Sequence, residues 1–227
     1  MAKTILNLNK GIFMINTQKA ICKNNQGLTI VIFVRHGQTS YNEAGLMTGK
    51  HDPELTELGK SQAEKTGKDL CYHQLLQDNF FSIVSSNMTR TNQTAAGIKE
   101  ELENCFDKNI DIFLHSGLQE IDRGALQGKP ISYLKNELKD LPNNLSHPEH
   151  GGESTDQFTQ RVVEAACELF CSSTKVVIAV AHGYSSARAS YEFMKEEIHL
   201  GNSEFLVFNP FEIDNLPGIC QNIEYVL

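Results

Sequence analysis

Two short apolar runs that each lead to a histidine-glycine pair constrain the fold of this chain more than any other feature. One run covers residues 29–34 and leads to His36; the other covers residues 176–181 and leads to His182. Short runs rich in β-branched residues and bounded by glycine are typical of central strands in a parallel sheet. Because open α/β sheets bind ligands at the carboxyl ends of such strands, we expect the two histidines to face each other across one crevice.

The rest of the chain alternates strand and helix patterns. Helices are predicted at residues 55–77, 89–104, 131–138, 154–171 and 185–198, and further strands at 80–85, 110–114, 205–208 and 223–226. Ser154 and Gln157 form a capping-box pattern at the start of the fourth helix. This alternation predicts an α/β fold, a three-layer α/β/α sandwich with a mainly parallel central sheet. No linker or repeat divides the chain, so residues 29–227 are interpreted as one domain and residues 1–28 as an N-terminal extension.

Charge and composition exclude several classes of protein. The net charge of −8, from 20 basic and 28 acidic residues, argues against binding to nucleic acid or to an anionic membrane. No stretch approaches the roughly 18 apolar residues of a membrane span, and residues 1–28 lack the apolar core of a signal peptide. The six cysteines are scattered without zinc-site spacing, which suggests reduced thiols in a cytosol-like compartment. We therefore expect a cytoplasmic protein.

Side chains suited to phosphoryl chemistry follow three of the predicted strands. Arg35 precedes His36, and Arg90 lies in the first turn of the helix after the second strand. Glu120 follows the third strand. If the crevice handles a phosphoryl group, a histidine nitrogen can attack phosphorus, arginines can neutralise the equatorial oxygens, and an acid can protonate the leaving oxygen. All of these groups are predicted to meet at one edge of the sheet.

Five ordered segments resemble the motifs of the histidine phosphatase superfamily, also called the phosphoglycerate mutase-like family. The resemblance covers roughly residues 29–210. The matching positions, in chain order, are Arg35-His36-Gly37-Gln38-Thr39 with Asn42, Thr48 and Gly49; Ser86, Arg90, Thr94 and Ala95; Leu118, Glu120, Gly124 and Gly128; Gly152-Glu153-Ser154; and Ala181-His182-Gly183.

The resemblance implies a role for each matched residue. His36 is implied to accept the phosphoryl group, which Arg35, Arg90 and His182 would bind. Glu120 is implied to donate a proton to the leaving alcohol and later to accept one from water. Substrate contacts are implied at Asn42, Thr48, Gly49 and the backbone N–H of Gly183. The resemblance implies no metal and no other cofactor, and it implies a phosphorylated small molecule, or else a phosphoprotein, as substrate.

Departures from the family pattern favour a phosphatase over a mutase. Mutases of the family carry an arginine pair that grips the glycerate carboxylate, and the interval between Glu120 and His182 has no such pair. Arg123 stands where an aromatic or small residue is more common, and we interpret it as a contact to a second anionic group of the substrate. Tyr184 is expected to narrow the mouth of the pocket.

The main hypothesis is a metal-independent phosphatase that forms a phosphohistidine intermediate. A phosphoglycerate mutase-type phosphotransferase and a non-catalytic module that binds phosphorylated ligands remain alternatives. Asn42 and Thr48 have a second interpretation as turn formers. Arg161 and Arg188 are interpreted as charges on helix faces. The sequence does not indicate an oligomeric state.

Overall fold

A mainly parallel sheet forms the centre of the structure, a computed structural model that describes residues 6–8, 11–13, 29–133, 151–194 and 196–208. In chain order the strands are β1 (Leu6–Leu8), β2 (Gly11–Phe13), β3 (Ile30–Arg35), β4 (Phe81–Ser85), β5 (Ile112–Leu114), β6 (Val176–Ala181) and β7 (Phe205–Phe208). The first two pair as a two-stranded antiparallel sheet. The other five form one sheet in the order β5-β4-β6-β3-β7. Within that sheet β7 is antiparallel to β3, and the other pairs are parallel.

Helices connect most of these strands. Those with both ends inside the described residues are α1 (Ser40–Glu43), α2 (Glu57–Cys71), α3 (Gln74–Gln77), α4 (Thr89–Phe106), α5 (Thr155–Phe170) and α6 (Gly183–Met194). None of the helices in the described part of the chain combines the length and the apolar character needed to cross a bilayer. The predicted helix at residues 131–138 lies partly outside the described residues, and the predicted strand at 223–226 lies wholly outside them.

The two strands that lead to histidine-glycine are direct neighbours. β3 and β6 pair in parallel, with Arg35 opposite Ala181, and the N–H of His36 donates to the carbonyl of Ala181 at 3.0 Å. Both chains therefore leave the sheet at the same edge and at the same level. This register places His36 and His182 side by side at the carboxyl edge.

The pleat of the sheet divides the core into two layers. Val31 and Phe33 of β3 pack in a cluster with residues of α5 and α6. Ile32 and Val34, on the opposite face of the same strand, pack with residues of α2 and α4. All four side chains are fully buried, and burial of a Val, Ile or Phe side chain stabilises a fold by about 1.5–3 kcal/mol. The result is the predicted three-layer α/β/α sandwich.

Side-chain caps decide where two of the helices begin. The predicted capping box at α5 is confirmed, because Ser154 Oγ accepts from the N–H of Gln157 at 3.1 Å and Gln157 Oε1 accepts from the N–H of Ser154 at 2.9 Å. The single helix predicted at 55–77 is wrong in its extent. His73 has extended backbone angles, and its Nδ1 accepts from the N–H of Leu75 at 3.3 Å, so it starts α3 as a separate helix.

The expectation of reduced thiols is wrong for four of the cysteines, because Cys71, Cys105, Cys167 and Cys171 are all disulfide-bonded. Cys71 and Cys105 form a disulfide, with their Cα atoms 6.2 Å apart. Cys71 is the last residue of α2, and Cys105 lies next to the last residue of α4. These two helices pack against each other, so their C-terminal ends come within the range that a disulfide spans. Spacing along the sequence contains no information about this contact.

Candidate active site

His36 and His182 form the centre of the candidate site. Their ring centroids are 5.2 Å apart and the ring planes are inclined by 65°. His36 is 4% exposed and His182 is fully buried. The predicted meeting of two imidazoles at the carboxyl edge of β3 and β6 is confirmed. Two rings at this separation can contact one small anion together.

The hydrogen bond of His36 determines which ring nitrogen holds the lone pair. Nδ1 lies 2.8 Å from the carbonyl oxygen of Gly37. Because a carbonyl only accepts, Nδ1 carries the proton and donates, and Nε2 of the neutral ring has the free lone pair. Burial, followed by the charge of Arg90, lowers the pKa of His36 well below its ordinary value. The ring is therefore neutral near pH 7, with Nε2 able to act as a nucleophile.

His182 is held by β4 and by its own helix. Its Nε2 lies 3.1 Å from Ser86 Oγ, and its backbone N–H donates to Ser185 Oγ at 3.0 Å. Burial lowers the pKa of His182 well below its ordinary value, and the charge of Arg90 acts in the same direction. Nδ1 is buried without a hydrogen-bond partner among the described residues.

Arg90, the second residue of α4, is fully buried. Nη1 donates to the carbonyl of His51 at 2.9 Å, and Nη2 donates to the carbonyl of Gly49 at 3.0 Å. Asp52 supplies the counter-charge: its Oδ1 lies 3.3 Å from Nη1, and its Oδ2 accepts from the N–H of Thr89 at 2.8 Å. These contacts hold the guanidinium in one orientation.

Arg35 is the last residue of β3 and lies against the start of α6. Nη1 donates to the carbonyl of Leu200 at 2.7 Å. A Cβ atom at position 183 would lie 3.1 Å from Nε of Arg35, so Gly183 leaves room for the guanidinium. Burial lowers the pKa of Arg35, and the charge of Glu120 opposes that change. An arginine side chain nevertheless stays protonated in proteins.

Unpaired buried nitrogens distinguish this site from an ordinary ion-pair network. Nε of Arg35, Nε of Arg90 and Nδ1 of His182 are buried and lack hydrogen-bond partners within the described residues. An unsatisfied buried polar group costs about 1–3 kcal/mol, and an oxyanion would satisfy donors of this kind. Among the described residues, no group of three or more His, Cys, Asp or Glu side chains is arranged to hold a metal ion. The donor set is suited to a phosphate-like anion.

Glu120 lies beside the loop that follows His182. Its Oε1 accepts from the N–H of Ile121 at 2.9 Å, and its Oε2 lies 3.4 Å from the N–H of Tyr184. Burial lowers the pKa of both Arg35 and Arg90, and the charge of Glu120 opposes that change. The carboxyl group is thus within electrostatic range of the two guanidinium groups, as the sequence predicted.

Arg161 fixes the segment that contains Glu120, so its interpretation as a helix-face charge is wrong. It donates to the carbonyls of Gly117 and Gln119 at 2.9 and 3.0 Å. It also makes a two-point ion pair with Glu153, at 2.9 and 2.7 Å. The side chain joins α5 to the loop before Glu120, which no periodic pattern in the helix reveals.

The remaining predicted contact residues lie around this centre. Asn42 Oδ1 accepts from the N–H of Thr39 and completes the capping box of α1, and the carbonyl of Thr48 accepts from the N–H of His51. Both observations support the turn-forming interpretation of Asn42 and Thr48. Gly49 adopts a φ of +52° and uses its carbonyl to hold Arg90. The guanidinium carbon of Arg123 lies 5.4 Å from the ring centroid of Tyr184.

Three functional neighbours were missed by sequence reasoning. Asn202 Nδ2 donates to the carbonyl of His36 at 3.1 Å and to Asn42 Oδ1 at 3.2 Å. It is 166 positions from His36, and no local pattern signals the contact. Lys50 directly follows the Thr48-Gly49 pair of the first motif, and Asp52 comes two positions later. A basic and an acidic residue so close to this motif are the sequence signal that could have identified Lys50 and Asp52.

Comparison with known proteins agrees with this geometry. A family model described as the histidine phosphatase superfamily (branch 1) matches residues 31–203. A broad-specificity phosphatase of Saccharomyces cerevisiae is 29% identical over 193 residues, which cover 83% of this chain and 80% of the yeast protein. Fructose-2,6-bisphosphatase TIGAR of Xenopus tropicalis is 34% identical over 141 residues, which cover 60% of this chain and 49% of the frog protein.

Solved structures lead to the same family. The structure of mycobacterial glucosyl-3-phosphoglycerate phosphatase with VO3 superposes with a TM-score of 0.63 at 27% identity, over 79% of this chain and 92% of the mycobacterial one. The family and these phosphatase relatives support phosphatase activity. With the two histidines, the buried arginines and a family match that spans most of its length, the chain belongs to the histidine phosphatase superfamily, in its phosphatase branch.

Proposed function

We propose that this chain hydrolyses phosphate monoesters without a metal ion, through a phosphohistidine intermediate on His36. The observation that carries the proposal is the state of the His36 ring. It is buried and neutral, its Nδ1–H is fixed on the carbonyl of Gly37 at 2.8 Å, and its free Nε2 belongs to a ring 5.2 Å from that of His182. Residues 29–227 are proposed to form the catalytic domain, with residues 1–28 as an extension.

The proposed reaction has two steps. In the first, Nε2 of His36 attacks phosphorus, the P–O bond to the leaving group breaks, and the leaving oxygen takes a proton from Glu120. In the second, water attacks phosphorus, the P–N bond breaks, and Glu120 takes a proton from that water. Inorganic phosphate leaves, and the electron pair of the P–N bond returns to Nε2. The enzyme ends in its starting protonation state.

Positive charge around the phosphoryl group replaces what a metal ion would supply. Arg35, Arg90 and His182 are proposed to bind the three equatorial oxygens, whose charge grows toward the transition state. Their unpaired buried nitrogens support this role. Contacts from Asn42, Thr48, Gly49 and Gly183 to the substrate are proposed on the family pattern, and a contact from Arg123 to a second anionic group is proposed as a departure from it. The names of the relatives suggest small phosphorylated molecules such as sugar phosphates as substrates.

Replacement of the nucleophile tests the intermediate directly. His36→Ala is expected to lower turnover of para-nitrophenyl phosphate by roughly a thousandfold or more. Wild type quenched in alkali after a brief incubation with ³²P-labelled substrate should retain label on the peptide that contains His36. His199→Ala, at an exposed histidine outside the site, is the matched control. Unchanged turnover in His36→Ala, or label on another residue, would exclude this mechanism.

The proton-donor role of Glu120 is tested by varying the leaving group. A general acid contributes about 10²–10⁴-fold when the leaving group needs a proton. Glu120→Gln should therefore slow hydrolysis of an alkyl phosphate about a hundredfold, and slow para-nitrophenyl phosphate much less. Equal losses with both substrates would contradict the acid role.

Two further measurements separate the alternatives. Activity is expected to persist after treatment with EDTA, and its loss would contradict metal independence. With labelled substrate and an unlabelled acceptor alcohol, the label should appear in inorganic phosphate. Label that reappears mainly on the acceptor would indicate a mutase-type phosphotransferase instead.

A further inference from the structure

A cavity lined by Asp122, two positions after Glu120, has no role in the proposed mechanism. Its volume is about 390 Å³, and its lining residues are Lys50, Asp122, Gly151, Gly152, Glu153 and Gln157. Asp122 lies two positions after Glu120, and Lys50 follows Gly49, whose carbonyl accepts from Nη2 of Arg90. The cavity is therefore lined by residues of the same two segments that hold Glu120 and Arg90.

Lys50 brings a positive charge to this cavity. Its Nζ donates to Oε1 of Gln119 at 2.5 Å, and Nε2 of Gln119 donates to Oδ1 of Asn87 at 2.6 Å. The hydrogen-bond partner of the ammonium group is thus a neutral amide. The amide of Gln119 links the ammonium to the segment that follows Ser86, which contacts His182.

The carboxylates near Lys50 are engaged by other donors. Glu153 is bound at two points by Arg161, and Asp122 Oδ1 accepts from the N–H of Gly124 at 2.8 Å. Burial, followed by the charge of Arg161, lowers the pKa of Lys50, and the charges of Glu153, Asp122 and Glu120 oppose that change. Lys50 and Arg161 therefore bring two positive charges to a region in which the carboxylates of Asp122 and Glu153 already accept hydrogen bonds.

The positive field of Lys50 extends to the phosphate site. The charges of Lys50 and Arg161 both contribute to the lowered pKa of His182. An anion that spans from Arg35 and Arg90 to Lys50 would meet positive charge at both ends. A two-point anion is held more firmly than either end alone, because the second contact forms within one molecule.

We propose that Lys50 forms a second anion subsite, which selects substrates whose leaving group carries a carboxylate or a second phosphate. The inference rests on the proposed function, since it assumes that the scissile phosphoryl group lies between His36 and Arg90. It assigns to Lys50 a role in specificity and none in the transfer of the phosphoryl group. Phosphate monoesters with an uncharged leaving group should accordingly be poorer substrates than those whose leaving group carries an anion.

Binding of phosphonates, which the enzyme cannot hydrolyse, tests the subsite. Calorimetry would compare butylphosphonate with 4-phosphonobutanoate, which adds a carboxylate, and with propane-1,3-diphosphonate, which adds a second phosphonate. Wild type is expected to bind at least one of the doubly anionic compounds about tenfold more tightly than butylphosphonate. Phosphonoacetate and 3-phosphonopropanoate extend the series and measure the preferred spacing. Equal affinities across the whole series would overturn the proposal.

Variants of Lys50 assign any preference to this side chain. Lys50→Gln should lose the tenfold preference while its affinity for butylphosphonate stays within about twofold, and Lys50→Arg should restore the preference. Lys60→Gln, at an exposed lysine paired with Glu57, is the control and should behave like wild type. If Lys50→Gln weakens all ligands equally, Lys50 serves the first anion and the proposal is wrong. Turnover by wild type of para-nitrophenyl phosphate and of a phosphate monoester with a carboxylate on its leaving group is measured in parallel. A charge preference without turnover of either ester would refute the proposed function and leave the subsite standing.

Discussion

At the scale of single residues, Asp52 controls the position of the most buried cation. Its carboxylate contacts Nη1 of Arg90 and the N–H of Thr89, the residue before it on α4. The other acceptors of Arg90 are the carbonyls of His51 and Gly49. They orient the guanidinium but carry no full negative charge. Asp52 is therefore a positioning residue, and it acts on the substrate through Arg90.

Asp52→Asn is expected to lower kcat/KM for para-nitrophenyl phosphate about tenfold. A hydrogen bond to a charged group contributes about 1.5–3 kcal/mol, and we expect the low end because the Asp52 side chain is 35% exposed. The inhibition constant of inorganic phosphate should rise by a similar factor, since Arg90 is proposed to contact that anion. Glu57→Gln, at an exposed acid on α2, should change neither value. Normal phosphate inhibition in Asp52→Asn would contradict the positioning role.

The protonation of His36 provides a second prediction at this scale. A histidine with the ordinary pKa of 6.5 would be only about one-quarter neutral at pH 6. Burial and Arg90 lower the pKa of His36, so its ring resonances in NMR spectra should not shift between pH 7.5 and pH 6. In Arg90→Gln the midpoint should move upward. A wild-type midpoint near 6.5 would contradict the prediction. By linkage, folding stability should fall as the pH drops below 6.5, because the unfolded chain takes up protons that folded His36 and His182 do not.

At the scale of elements, the Cys71–Cys105 disulfide ties the ends of α2 and α4 together. The opposite ends of the same helices support the site. Arg90 lies in the first turn of α4, and Gly59 in the first turn of α2 leaves room for the backbone of Gln38. The covalent link closes a loop with a sequence separation of 34. It should therefore stabilise the packing of both helices against the sheet mainly by restricting the unfolded chain.

Removal of this disulfide is expected to lower the free energy of unfolding by about 3–4 kcal/mol. Urea denaturation of wild type with and without dithiothreitol, and of Cys105→Ser, measures the loss. Reductant should destabilise both proteins, because Cys167 and Cys171 are also disulfide-bonded, and it should destabilise wild type by about 3–4 kcal/mol more than Cys105→Ser. A wild-type transition that does not respond to reductant, with free thiols at Cys71 and Cys105 by mass spectrometry, would contradict the prediction.

Comparison of the predicted with the observed helices and strands shows what the sequence alone could predict. β3 and β6 were predictable because their side chains are buried on both faces, which produces uninterrupted apolar runs. The break between α2 and α3 was not predictable, because the apolar pattern continues through His73. The helices are separated there by the hydrogen bond with which the His73 side chain caps α3. The pairing of Cys71 with Cys105 depends on how far each helix runs past the other, and helical periodicity does not define that distance.

At the scale of the whole molecule, the site is assembled from segments that only the completed sheet brings together. The sequence predicted His36, Arg90, Glu120 and His182 because each follows a strand and matches a family motif. It did not predict Asn202, whose contact with His36 depends on the path of the loop before β7. Contacts between side chains of remote loops have no periodic pattern, and this is why the cavity beside Lys50 could not be predicted.

Because the segments that contain these residues meet only in the folded chain, an anion bound between them should stabilise the whole domain. A ligand that binds only the native state adds about 2.7 kcal/mol to the free energy of unfolding at a hundredfold excess over Kd. For a domain of this size, that corresponds to a rise in Tm of about 5–10 °C. Vanadate, followed by thermal unfolding near pH 7.5, should produce this rise in a single transition. Arg90→Gln should lose most of the rise because the buried cation is gone, while Lys60→Gln should retain it. An equal rise in Tm for Arg90→Gln would mean that vanadate binds elsewhere in the protein. The segments at the carboxyl edge of the sheet would then not bind one anion together.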